Sequence, residues 1–191
     1  MTTEMTDSFA RYAGWAAYAS VAATIVGFIF LVVFFSIGQP FGTLNDIFSV
    51  FQVLFMLPLV WYLYTQLRES NAILNWLAVL FGVIGILTAA SFQTLLVFGR
   101  VGYEQSLPYN LAGGAAIGVW LIISNALALD QNVLPNGLTY TGIVAGIGYI
   151  VLVIGFWLGG QSHPLFIGGG LAMLVAYCAW GILLGRVLLN V

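Results

Sequence analysis

Between Glu69 and Arg100 lie thirty residues without a charge, SNAILNWLAVLFGVIGILTAASFQTLLVFG (70–99). A bilayer-spanning helix needs roughly 20 predominantly apolar residues, and this stretch exceeds that. It shows none of the strict alternation over about ten residues that marks a membrane β-strand. The stretch reads as one transmembrane helix, and the rest of the chain repeats the pattern. Arg11 to Asp46 encloses 34 uncharged residues, Asp46 to Arg68 encloses 21, Glu104 to Asp130 encloses 25 and Asp130 to Arg186 encloses 55. The last run holds two spans, divided at Gly159-Gly160-Gln161-Ser162-His163-Pro164, where Gly and Pro punctuate a polar patch.

The expected fold is therefore all-α: six transmembrane helices in one bundle, near 12–37, 46–67, 72–98, 107–129, 138–159 and 165–189. Residues 1–11 form a short N-terminal segment and 12–191 a single membrane domain. Composition supports this. The 191 residues are 62% hydrophobic and 5% charged, against about 45–50% and about 25% in soluble domains. Ten charges cannot cover a water-facing surface of this size. Glu4 and Asp7 precede Arg11, a poor start for a cleaved signal peptide, so the first apolar segment is expected to be a retained helix.

Arginine sets the expected orientation. Arg11, Arg68 and Arg186 fall on the side of the termini and Arg100 on the other. The positive-inside rule then places both termini in the cytoplasm, the membrane being a bacterial or archaeal inner membrane.

Small residues recur four apart, as in Ala19, Ala23 and Gly27, or the pairs Gly114/Gly118, Gly142/Gly146, Gly155/Gly159 and Gly181/Gly185. That spacing lets helices approach closely when lipid supplies no hydrophobic drive. Pro58, near the middle of the second helix, removes a backbone donor and predicts a kink. Trp61, Trp120 and Trp180 stand about 60 residues apart, and Trp15 and Trp76 open the first and third helices at 61. A fixed period of this kind suggests three copies of a two-helix hairpin. It also follows from Trp collecting at membrane interfaces.

Leu134-Pro135-Asn136-Gly137-Leu138, Gly142-Ile143-Val144-Ala145-Gly146-Ile147-Gly148-Tyr149 and Trp180-Gly181-Ile182-Leu183-Leu184-Gly185-Arg186 resemble uncharacterised six-helix bacterial membrane proteins of a domain-of-unknown-function family. The resemblance covers the C-terminal third and implies a fold and a location, with no activity or functional residue attached.

Composition also removes chemistries. The four cations, all Arg, make no basic stripe for nucleic acid, and without Lys there is no Schiff base to retinal. One His and one Cys, Cys178, make no haem or metal ligand set, so no metal or cofactor is expected. Asp46 and Asp130 fall on opposite sides, too far apart for a carboxylate dyad.

Candidate residues group by depth. On the side away from the termini, Asp46, Gln93, Arg100, Glu104 and His163 form either a salt-bridged rim, with Arg100 paired to Asp46 or Glu104, or the mouth of a ligand site. Within the spans, Gln52, Ser91 and Thr94 are costly in lipid and are expected to face the bundle interior. Gln66, Asn71, Asn75, Asn125, Asp130 and Asn132 are expected to cap helices and meet headgroups. Phe28, Phe30, Phe34 and Phe35 with Phe48, Phe51 and Phe55 suggest lipid contact or an apolar groove.

The leading expectation is a non-enzymatic module that packs on partner membrane proteins or holds an apolar ligand, surrounded by membrane lipids. A small channel for an uncharged solute, using Gln52, Ser91 and Gln93, is the first alternative. A membrane-embedded enzyme at the outer face, using His163, Glu104 and Asp46, is the second.

Overall fold

In the computed structural model residues 2–190 are described, with side chains from residue 8 onward. Seven helices follow in order: α1 (Thr2–Ile37), α2 (Phe41–Leu54), α3 (Leu57–Gln66), α4 (Ala72–Val97), α5 (Tyr103–Asp130), α6 (Asn136–Gly159) and α7 (Pro164–Leu189). There is no strand among the described residues. Helices α2 and α3 together make one span, so six segments are long and apolar enough to cross a membrane. The chain is an all-α, multi-pass membrane bundle, the structure in which every backbone group is satisfied without water.

Each span packs on its neighbour in sequence, and α7 returns to α1, so the principal contacts close a ring. Close approach depends on glycine at the crossings. A Cβ on Gly118 of α5 would lie 2.8 Å from the Gly146 carbonyl of α6, and one on Gly146 would lie 2.6 Å from the Gly118 carbonyl. Gly85 and Gly113 stand in the same reciprocal relation between α4 and α5. On α1 the buried small face is Ala13, Ala17, Ser20, Thr24 and Gly27, with Ala19 only half-buried beside it.

Three expected boundaries shift, the first because α1 runs from Thr2 and not from 12. The second span begins at Phe41, not 46, and the fourth at Tyr103, not 107. The charges Asp46 and Glu104 had marked those ends, but both lie inside helices. Glu104 sits in the first turn of α5, where a carboxylate suits the positive end of the helix dipole. Helix α2 starts directly after Pro40 and continues through Asp46.

The second span breaks at Phe55–Met56, with Pro58 in the first turn of α3. Pro58 has no N–H and its ring crowds the carbonyl four residues back. The Met56 N–H bonds Val53 O at 3.0 Å, leaving the Gln52 carbonyl without its helical partner. Ser20 of α1 takes that carbonyl, its Oγ donating to Gln52 O at 2.8 Å.

The three hairpins α1–α2/α3, α4–α5 and α6–α7 share one feature. Gly38, Gly99 and Gly160, 61 residues apart, follow α1, α4 and α6 with φ of 90°, 64° and 73°. This left-handed conformation ends helices and favours glycine. The tryptophan register does not match it. Trp61 is 50% exposed, whereas Trp120 and Trp180 are buried and meet edge-to-face at 5.9 Å and 89°. A threefold repeat of environments is therefore not present at these positions.

The half of the bundle nearer the termini is tightly filled. Met56, Leu59, Leu63 and Leu67 from the second span meet Trp120 and Leu121 of α5 and Trp180, Leu184 and Leu188 of α7, each at most 1% exposed. Asn125 lies in this packed region at 1% exposure, not at the headgroups as expected. Its Oδ1 accepts from Trp180 Nε1 at 3.0 Å and its Nδ2 donates to Leu121 O at 2.8 Å. Asn75 is also buried and donates to Tyr64 O and Leu67 O, tying α4 to the end of α3. Asn71 caps α4, accepting from Leu74 N at 3.1 Å.

Candidate functional site

The half remote from the termini holds a cavity of about 250 Å³ to which all six spans contribute. Its polar wall is Thr24 of α1, Asn45, Ser49 and Gln52 of α2, Asn110 of α5 and Tyr149 of α6. Its apolar wall includes Phe28, Leu31, Ile117, Met173 and Leu174. Asn45, Ser49 and Gln52 recur at helical spacing on one face of α2. Gly27 and Gly114 belong to the wall, where the absence of a side chain leaves room.

The cavity floor is a hydrogen-bonded relay. Tyr149 and Gln52 both line the cavity. Ser20 Oγ and Tyr177 OH lie 2.5 Å apart. Ser20 has one proton and gives it to Gln52 O, so Tyr177 donates to Ser20. Thr24 Oγ1 donates to Ser20 O at 2.8 Å. Below this relay begins the packed half, so the cavity is blind toward the termini.

A second relay runs over the cavity's other end. Asp46 Oδ1 accepts from Gln93 Nε2 at 2.8 Å and from Asn45 Nδ2 at 3.3 Å. Gln93 Oε1 accepts from Asn110 Nδ2 at 2.8 Å. An ionised carboxylate only accepts, so it fixes the sense of the chain: Gln93 turns its amide nitrogen to Asp46, and Asn110 must turn its own nitrogen to Gln93. The Asn110 Oδ1 that remains is buried and has no hydrogen-bond partner.

The expected cluster is thus only partly assembled. Asp46 and Gln93 meet, and Gln52 lines the cavity. Arg100 and Glu104 are exposed and make no ion pair among the described residues. Arg100 sits in the turn after α4, beyond the relay, so the expected pairing with Asp46 or Glu104 is replaced by amide contacts to Asp46. His163 serves the backbone, its Nδ1 accepting from Leu165 N at 3.2 Å at the start of α7. No hydrogen bond or ion pair joins His163, Glu104 and Asp46 among the described residues. The described residues contain no group of three His, Cys, Asp or Glu side chains placed to hold a metal.

Ser91 faces outward, against expectation; a single small hydroxyl on a long apolar helix does not fix the helix's rotation. Thr94 lies in a shallow groove between α2 and α4 with Ile47, Val50 and Phe51, away from the cavity. Sequence reasoning passed over Ser20, Thr24, Asn45, Ser49, Asn110, Tyr149 and Tyr177. Helical spacing was the available signal for the first two, since Ala13, Ala17, Ser20, Thr24 and Gly27 fall on one face of α1. No family model, no curated protein and no solved structure matches this chain at a significant level.

Proposed function

We propose that the protein is a non-enzymatic membrane module that holds a small ligand in this cavity. The observation that carries the reading is convergence: all six spans of a chain this poor in polar residues direct a wall to one chamber. The volume lies just below the range of about 300–1,000 Å³ typical of small-molecule sites, and its mix of aromatic wall and few polar groups suits a compact amphipathic molecule. A channel is the weaker reading, because the half nearer the termini is filled by fully buried Leu and Trp side chains. An outer-face enzyme is weaker still, as no hydrogen bond or ion pair joins its three residues among the described residues.

The excess of arginine near the termini favours a cytoplasmic location for both termini in a bacterial or archaeal inner membrane. The cavity then faces the extracytoplasmic side, and membrane lipids cover the exposed apolar flanks.

Native mass spectrometry of the gently extracted protein tests the reading. A stoichiometric small molecule on the wild type, absent from a cavity-filling Gly114→Leu variant that remains folded, is the expected result. Identical spectra for both, with neither taking up any small molecule offered, would overturn it.

A further inference from the structure

We infer that the ligand is a small organic cation bearing N–H donors, such as a primary or secondary ammonium. This rests on the reading of the cavity as a ligand site and names the chemistry that site selects.

A hydroxyl has one proton and an ionised carboxylate none. Thr24 Oγ1 spends its proton on Ser20 O, and Ser49 Oγ spends its own on Asn45 O at 2.9 Å. Both hydroxyls can therefore only accept from a guest. Asn45 and Asn110 each commit amide nitrogen to the Asp46 relay. Their carbonyl oxygens accept nothing among the described residues, and Asn110 Oδ1 is buried in that state. The wall thus holds acceptors without a donor at Thr24, Ser49, Asn45 and Asn110, beside the donors that remain on Gln52, Tyr149 and the second N–H of each asparagine amide, so charge decides which guest is preferred. A buried acceptor without a donor is unfavourable by about 1–3 kcal/mol, a deficit that a donor-rich guest relieves.

Charge points the same way. Asp46 stands directly behind Asn45 and Gln93, and its partners are amides with no cation among them. The wall contains no Arg. Arg100, the one Arg at this end of the bundle among the described residues, is exposed in its turn. In a low-dielectric surround an unneutralised carboxylate gives the chamber a negative potential that concentrates cations. Phe28 and Tyr149 add aromatic surface to the wall, which attracts ammonium groups further. A bare metal ion fits poorly, because most of the wall is apolar.

The test uses the full chain in lipid nanodiscs with three probes of one shape: 2-phenylethylammonium, the neutral 2-phenylethanol and the phenylacetate anion. Binding is read by isothermal titration calorimetry. The expected order is ammonium first, the alcohol at least about tenfold weaker and the anion not bound. Asp46→Asn should lower ammonium affinity at least about tenfold and leave the alcohol unchanged. Because Asp46→Asn also alters a relay that supports the fold, Asn110→Asp serves as a second variant; adding a carboxylate there should tighten ammonium binding. Alcohol bound as tightly as ammonium, with neither variant changing the ratio, overturns the inference while leaving a ligand cavity in place. No binding of any probe, together with an empty wild-type protein in native mass spectrometry, overturns both readings.

Discussion

At the residue scale most buried polar side chains of the bundle bond atoms that can be named. Asn125 shows how this works. Placed among Leu121, Leu184 and Trp180, it would be costly alone, yet its oxygen receives the Trp180 indole N–H and its nitrogen serves its own helix. Gly142 of α6 packs directly on this side chain, so the pair also fixes the spacing of α5, α6 and α7. In sequence Asn125 stood near the end of an apolar run, where a headgroup contact is the natural expectation. The helix ends where expected, at Asp130, but nothing in the run tells that the Asn125 side chain faces the packed interior. A double-mutant cycle measures the pair. Trp180→Phe and Asn125→Leu should each destabilise by about 1–3 kcal/mol, since each leaves the other partner unpaired. Their coupling should be about 0.6 and at most about 1.7 kcal/mol, the range for hydrogen bonds between membrane helices. Unfolding in mixed micelles by sodium dodecyl sulfate titration gives the values, and strictly additive losses would show that the bond contributes nothing.

At the element scale the broken second span is the feature on which the site depends. Pro58 made the break legible in sequence, because a missing N–H and a ring clash have only one consequence in a helix. What the break releases was not legible. The Gln52 carbonyl is freed four residues before Met56, and Ser20, 32 residues earlier in the chain, receives it. Serine in an apolar helix looks like any small residue until the facing helix is known. The same blindness misplaced Asp46: a charge was read as the end of a span, when amides from α2 and α4 hold it inside one. The connection between proline and serine is measurable. Ser20→Ala should destabilise by about 1–3 kcal/mol, because the carbonyl and the Tyr177 hydroxyl both lose a partner. Pro58→Ala lets the helix run through and returns the carbonyl to the Met56 N–H. In that background the Ser20→Ala loss should shrink to well under half. An equal loss in both backgrounds would show that the break does not free the carbonyl.

At the scale of the whole molecule the six-helix fold followed from charge spacing and the Gly159–Pro164 break, but the division into two unlike halves did not. Most spans are hydrophobic almost all round, so outside the Ser20/Thr24 face of α1 and the Asn45/Ser49/Gln52 face of α2 the lipid-facing and inward-facing surfaces look alike in sequence and helix rotation is unreadable. That is why Ser91 could be assigned inward. With rotations set, the polar side chains that line open space gather in the half remote from the termini, while leucine and tryptophan fill the other around the paired Asn75 and Asn125. This asymmetry predicts one-sided access. In a Cys178→Ala background, which removes the half-buried native thiol, Ser49→Cys should react with a membrane-impermeant maleimide applied to the extracytoplasmic face of oriented vesicles. Leu121→Cys, fully buried in the packed half, should stay unreactive from either face until the protein is denatured. Saturating the cavity with the ammonium probe should slow the Ser49→Cys reaction in proportion to occupancy, because the guest and the reagent compete for the same space. Labelling of Ser49→Cys from the cytoplasmic face would reverse the proposed orientation. Labelling from both faces would mean that the leucine and tryptophan plug opens, and the blind cavity would then be one state of a passage.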